Sequence, residues 1–192
     1  MLNLCLQVRS QVEIVYARLT LWTTICGQSV ARLKHCFSKI MEINIRPYKS
    51  ADWPRLCEIH DTSRLDELSF TVGTDAFLTL EQTANNEGLF DNKLFVAAID
   101  NIVQGFVAYS AEELTWLYVH PKFYRKGIGR ALLRHAVADS ESAMEIELLE
   151  GNTPALELYL SEGFKVVKRI EGSLEGNEDF AAVGLVLKRE DA

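Results

Sequence analysis

The sequence predicts an α+β domain, a mixed and mostly antiparallel β-sheet with helices on its faces. Three observations carry this. Apolar runs with strand character come first as a meander and then alternate with helix-periodic segments. Asp100-Asn101 sits between two apolar runs as a two-residue hairpin turn. The chain has 192 residues, 48% hydrophobic and 24% charged, which is enough apolar material for one domain-sized core.

The elements follow in order. Met41-Glu42-Ile43-Asn44-Ile45-Arg46-Pro47 alternates as a strand does. Ser50-Ala51-Asp52 can cap a helix that runs to about Asp61, with Leu56 and Ile59 on its buried face. Residues 64–90 are polar with scattered apolar positions and are expected to hold one or two further helices. Residues 94–99 and 102–109 form the hairpin, and 113–119 form the next strand. Residues 127–139 read as a helix with Ile128, Leu132, Leu133 and Val137 inward. A strand at 144–149 and a helix at 153–161 follow, with Gly163 at the position that favours a left-handed cap. Strands at 164–170 and 180–187 close the domain, joined by a Gly-rich polar turn at about 171–179.

The chain divides at Met41. Residues 1–40 carry five basic residues and one acid, Glu13, whereas the remainder is strongly acidic and brings the whole chain to −7. The first forty residues also carry a helical stripe: Leu4, Val8, Val12, Val15, Leu19, Trp22, Cys26, Val30 and Leu33. Three readings compete: an amphipathic helix that packs on the domain or a second subunit, a basic helix on a membrane surface, or an upstream extension with Met41 as the working start. The last is preferred, because 41–47 looks like a fresh beginning. The segment 1–40 is therefore an extension, helical or not part of the working protein, and 41–192 is the working domain.

The acidic balance argues against a nucleic-acid binder. No run of 18 apolar residues occurs, and Arg9, Glu13 and Arg18 interrupt any signal-peptide core. Four cysteines without Cys-x-x-Cys or Cys/His spacing suggest neither zinc nor a disulfide framework. A cytoplasmic protein with free thiols and no metal is expected.

The chemistry lies at Tyr118-Val119-His120-Pro121-Lys122-Phe123-Tyr124-Arg125-Lys126-Gly127-Ile128-Gly129-Arg130. A strand ends, a basic glycine loop follows, and a helix begins. Glycines let the backbone approach an anion, and the first helical N–H groups point at it. The loop lacks the spacing of a dinucleotide fold and the Gly-Lys-Ser/Thr ending of a nucleotide P-loop. Alone, it reads equally well as a structural turn. About thirty residues later stands Asn152-Thr153-Pro154-Ala155-Leu156-Glu157-Leu158-Tyr159-Leu160-Ser161-Glu162-Gly163-Phe164.

Together the two segments resemble the GNAT superfamily of acyl-CoA N-acyltransferases over residues 42–188. The first matches that family's Val-x-Pro and Gln/Arg-x-x-Gly-x-Gly/Ala, and the second its Asn-x-x-Ala-x-x-x-Tyr-x-x-x-Gly-Phe. One position departs: Tyr124 stands where the family has Gln or Arg, with Arg125 and Lys126 keeping the positive character.

The resemblance implies a GNAT-like fold and acetyl-CoA as cosubstrate. The pyrophosphate would lie on the N–H groups of Arg125, Lys126, Gly127, Ile128, Gly129, Arg130 and Ala131. The pantetheine and thioester would lie beside the backbone of Leu117, Tyr118 and Val119, where the strand splays from its neighbour. Ala155 is small and would let the cofactor arm pass. Asn152 would bond the pantetheine or order its turn, with Thr153 able to supply the cap instead.

Tyr159, one turn after Ala155, is the candidate general acid for the departing thiolate, since a phenol near pKa ~10 and a thiol near ~8.5 are matched for transfer. Its other reading is a buried aromatic that packs helix on sheet. Glu113 is the candidate base for the acceptor ammonium: it lies six residues before Val119, where the resemblance to the family's histone-acetylating branch implies a base glutamate, and strand parity puts it on the face of Leu117 and Val119 provided no bulge intervenes. Its other reading is a solvated edge residue. Glu147, Glu150 and His120 are weaker candidates.

The expected function is N-acetyl transfer to a primary amine of a small molecule or peptide by direct attack in a ternary complex. A catalytically silent acyl-CoA-binding module is the alternative. The acidic surface suits a cationic acceptor. A monomer or homodimer is expected, with no nucleic-acid partner and no spanning membrane segment.

Overall fold

The computed structural model describes residues 41–140, 143–174 and 176–189. The expectations for residues 1–40 lie outside the described residues. The described residues from Glu42 onward form one compact unit. The strands are β1 (Asn44–Pro47), β2 (Lys93–Ile99), β3 (Ile102–Tyr109), β4 (Glu113–Val119), β5 (Glu145–Leu149), β6 (Lys165–Leu174) and β7 (Asn177–Lys188). The helices are α1 (Trp53–Ser69), α2 (Leu80–Thr83), α3 (Ile128–Asp139) and α4 (Thr153–Ser161). One sheet runs in the order β1-β2-β3-β4-β5-β7-β6. All its pairings are antiparallel except β4 with β5.

The sheet has a core on each face. Leu132, Leu133 and Ala136 of α3 and Tyr159 of α4 pack with Val107, Leu114, Ile146 and Leu187. Leu56 and Ile59 of α1 pack with Val96, Phe106, Ala108 and Trp116 on the other side. The Asp100-Asn101 turn is as expected, with φ of 49° and 65°. Both central residues in the left-handed region is the geometry that matches strand twist in a tight hairpin. Gly163, at φ 91°, ends α4 in the left-handed region as its position foretold.

Two expectations fail. Helix α1 does not stop near Asp61 but continues to Ser69, and the further helix within residues 64–90 is the short α2. Its inward positions over that stretch are Ser63 and Leu68, while Leu65 faces out. A polar residue on the buried side and an apolar one outside erase the periodic signal. The polar turn expected at about 171–179 is instead the tip of a long ribbon, in which β6 reaches Leu174 and β7 begins at Asn177. Past Ile170, β6 is exposed at Glu171, Gly172 and Ser173, so no alternation carried the expected strand that far.

Candidate active site

The site forms where the sheet comes apart. β4 and β5 pair only at Glu113↔Glu145 and Leu114↔Ile146. Beyond that point the edge of β4 that faces away from β3 has no strand partner, and Thr115 to Val119 line an open cleft with Glu147 to Leu149. The backbone groups of Leu117 and Val119 on that edge are thus left for an extended ligand arm, as at any free strand edge. The cleft encloses about 1360 Å³. Its walls are α1, the loop before α3, α4 and the β6–β7 ribbon.

A bulge sharpens the split. Ala108 pairs with Trp116 while Tyr109 pairs with Leu114, so Thr115 is the extra residue on β4. Thr115 turns its hydroxyl to the Ala108 carbonyl at 3.1 Å. The bulge reverses parity along the strand. Leu114, Leu117 and Val119 all pack toward α3 and α4, whereas Trp116 and Tyr118 pack toward α1. Glu113, next to Leu114, therefore lies on the α1 side of the sheet. The expectation that it shares the face of Leu117 and Val119 is corrected, because simple alternation does not count the bulged residue.

The loop at the mouth is an anion cradle. Arg125 has φ 59° and Gly127 φ 84°. Gly127 caps α3, and the first helical bond runs from the Ala131 N–H to the Gly127 carbonyl at 2.9 Å. The N–H groups of Ile128, Gly129 and Arg130 precede that bond and carry the positive end of the helix dipole. The Ile128 side chain is fully buried under the sheet, so only its backbone can serve a ligand. Lys126 lies over the Phe123 ring at 4.3 Å, and Arg125 and Arg130 line the cleft.

Tyr159 and Ala155 stand on α4, facing this space. Tyr159 is 5% exposed and lines the cleft. Burial first, then the charge of Glu67, pushes its ionisation well above the usual phenol range. A phenol held protonated can give a proton and will not take one. Asn152 does more than one job. Its Oδ1 accepts from the Ala155 N–H at 3.2 Å, capping α4, and its Nδ2 donates to Glu67 Oε1 at 2.9 Å. Asn152 itself thus supplies the cap that Thr153 was expected to be able to provide.

Glu67 is a junction that the sequence did not reveal. It pairs with Arg64 at 2.7 Å and holds Asn152, and so ties the end of α1 to the start of α4. Asp66, Glu87 and Asn177 also line the cleft. These residues lie in the unpatterned stretch after residue 61 and in the ribbon, where no spacing flags them.

The base candidates separate. Glu150 is held on the surface by two bonds from Arg169 at 2.8 Å. His120 is buried, accepts from the Lys122 N–H at 3.2 Å and faces Glu58 at 3.6 Å, a turn residue outside the cleft. Glu113 and Glu147 line the cleft, both on the α1 side. A Cβ at Gly184 would collide with the Glu147 carboxylate, so this glycine leaves the room that the carboxylate occupies.

Residues 90–166 match the acetyltransferase (GNAT) domain model. That stretch is similar to the GNAT acetyltransferases. The uncharacterized N-acetyltransferase YafP of Escherichia coli (strain K12) is 27% identical over 130 residues, covering 66% of this chain and 84% of YafP. YqkA of Bacillus subtilis (strain 168) is 44% identical over 59 residues, which is 30% of this chain and only 17% of YqkA. YjaB from Escherichia coli, solved in its apo form, has a TM-score of 0.59 at 25% identity, covering 79% of this chain and all of that one. PaiA N-acetyltransferase from Thermoplasma acidophilum, solved in complex with coenzyme A, has a TM-score of 0.62 at 19% identity, covering 79% and 100%. The splayed β4–β5 pair, the glycine loop and Tyr159 thus lie on one cleft. No helix among the described residues is long and apolar enough to cross a membrane.

Proposed function

We propose that this chain is an N-acetyltransferase that moves the acetyl group of acetyl-CoA to a primary amine by direct attack within a ternary complex. The observation that carries the reading is the convergence of the anion cradle at 125–131, the free β4 edge at Leu117–Val119 and the protonated Tyr159 on one cleft. The cradle fits a pyrophosphate, the free edge fits an amide-bearing pantetheine arm, and Ala155 leaves a low wall beside it. The acceptor nitrogen attacks the thioester carbonyl, the C–S bond breaks, and the Tyr159 O–H gives its proton to the departing thiolate sulfur. No enzyme nucleophile is needed.

The ammonium of the acceptor must first lose a proton to a base on the α1 side. Glu113 was the sequence candidate, and Glu147 is the stronger one on register. Glu113 stands at the paired end of β4, opposite Glu145, whereas Glu147 lies past the last pair, Leu114 with Ile146, on the stretch where the strands part. Glu147 is thus the carboxylate nearer the thioester position.

The test has two parts. Millimolar acetyl-CoA should raise the melting temperature of the protein, and a panel of primary amines should release free CoA thiol from it. Absence of any thermal shift would sink the donor assignment. A shift without thiol release from any amine would favour the silent acyl-CoA-binding module.

A further inference from the structure

A buried histidine of the cleft takes no part in the donor site. His60 stands on α1, is 2% exposed and lines the cleft. Its ring meets Tyr118 edge-on with centroids 4.9 Å apart, and Trp116 at 5.7 Å. These two residues of β4 flank Leu117, whose free backbone edge is the proposed seat of the thioester. The imidazole therefore lies on the α1 side of the strand, beside the place where the carbonyl would react.

The ring is oriented as well as packed. His60 Nδ1 lies 2.9 Å from Asp61 Oδ1. An ionised carboxylate only accepts, so Nδ1 carries the proton and Nε2 keeps its lone pair. Asp61 is itself held, because the same Oδ1 accepts from the Leu80 N–H at 2.9 Å, at the start of α2. Aromatic contacts alone would suffice for a packing histidine. A fixed carboxylate behind Nδ1 also selects the tautomer and steadies the imidazolium once a proton arrives.

The charges around the ring leave it neutral. Burial lowers its ionisation from the ordinary imidazole value, and Asp61 only partly offsets this. Along α1, Arg64 acts in the same direction as burial and Glu67 against it. On β4, the Tyr118 phenol is held well above its usual range by burial and then by Glu67, so it brings no charge. Beyond α1, Glu81 of α2 acts on Cys57, and Glu87 acts on Arg64 and Tyr118.

We propose that the proton of the acceptor ammonium ends on His60 Nε2, with Asp61 setting the tautomer and stabilising the imidazolium that forms. This rests on the proposed transfer reaction and names a second group on the acceptor side of it. Glu147 offsets the charge of the arriving ammonium, which a neutral ring cannot do. As the nitrogen attacks the thioester carbonyl, its N–H bond breaks and the Nε2–H bond forms. The imidazolium returns that proton to water when the product leaves.

The pH dependence of kcat/KM for the amine, followed by thiol release, tests this. The wild type should lose activity on the acid side as His60 protonates, with the midpoint below the ordinary imidazole value of about 6.5. His60→Gln should lose about 10²-fold in kcat, and its residual activity should lack that acid limb. Its acetyl-CoA melting shift should persist, which shows that the variant folds. Asp61→Asn should move the limb to lower pH, because Asp61 raises the ionisation of the ring. In the CoA complex of the wild type, nitrogen-15 shifts of the His60 ring should show Nε2 unprotonated at neutral pH, a readout that needs neither turnover nor a variant. An unchanged acid limb in His60→Gln, or a proton on Nε2 at neutral pH, would overturn the proposal. Thiol release and the melting shift of the wild type read the transferase reaction separately, so either of those results leaves that reading standing.

Discussion

The two halves of the cleft are built from different parts of the chain. The donor half is made of backbone: the free edge of β4, the N–H groups before the first bond of α3, and a glycine cap. The acceptor half is made of side chains: Asp66, Glu67 and Glu87 from one region, Glu113 and Glu147 from two adjacent strands, Asn177 from the ribbon. A backbone site needs particular residues only where the chain must turn or approach closely, so it leaves a short, fixed spacing. A side-chain site draws one residue from each of several elements, and these are scattered over more than a hundred positions. The first can be generic for one donor while the second varies with the acceptor.

Tyr159 stands at the join, and its replacement should have the largest effect. Tyr159→Phe removes the proton donor and keeps the ring that packs near Phe164. A loss of about 10²–10⁴-fold in kcat is expected, as for any positioned general acid. The acetyl-CoA melting shift should persist. Because burial and Glu67 raise the phenol's ionisation, the wild-type enzyme should show no fall of kcat from this group until above the ordinary phenol range near pH ~10. Wild-type turnover in the Phe variant would return Tyr159 to a packing role.

Glu147→Gln tests the acceptor half alone. About 10²-fold loss in kcat/KM for the amine is expected, recovered in part at high pH where the amine deprotonates unaided. Affinity for acetyl-CoA should not change. Gly184→Ala should mimic it in weaker form, since the added methyl displaces the same carboxylate. If Glu113→Gln is the more damaging of the two carboxamide variants, the register argument for Glu147 is wrong.

Gly127→Ala tests the donor half alone. Nothing lies within 4 Å of the position its Cβ would take, so the cost is the left-handed φ of 84°. That strain is about 1–2 kcal/mol for a residue with a Cβ. If the loop relaxes to relieve it, the cradle opens. Acetyl-CoA affinity should fall by about 5–30-fold on that energy, with the amine KM unchanged. An equal loss for donor and acceptor would mean that the halves are not separable.

The same contrast explains what could be read from the sequence. The hairpin at Asp100-Asn101, the glycine loop and the α4 segment were legible, because each depends on local backbone chemistry. The two helix–sheet faces followed from periodicity at Leu132 and Leu133 on one side and Leu56 and Ile59 on the other. The bulge at Thr115 was not legible, since an inserted residue changes no composition. It alone moves Glu113 to the other face. The extent of α1 was hidden by Ser63 in a buried position, and the reach of β6 past Ile170 by its exposed residues there. Asp66, Glu67 and Glu87 carry no pattern because nothing local requires them.

Asn152 joins the halves structurally, and its removal should have the smallest effect of the set. Its Oδ1 caps α4, which carries Tyr159, and its Nδ2 reaches Glu67 on α1. Asn152→Ala loses the cap, a cost of about 0.5–2 kcal/mol, and lowers the melting temperature by a few degrees. Asn152→Asp keeps an acceptor for the Ala155 N–H and sets a carboxylate against Glu67. If the cap alone matters, Asp restores stability. If the tie to Glu67 matters, Asp is less stable than Ala despite its cap, because two like charges then meet where a hydrogen bond stood. The second outcome is expected, since Glu67 is partly shielded from solvent and its other oxygen is already committed to Arg64.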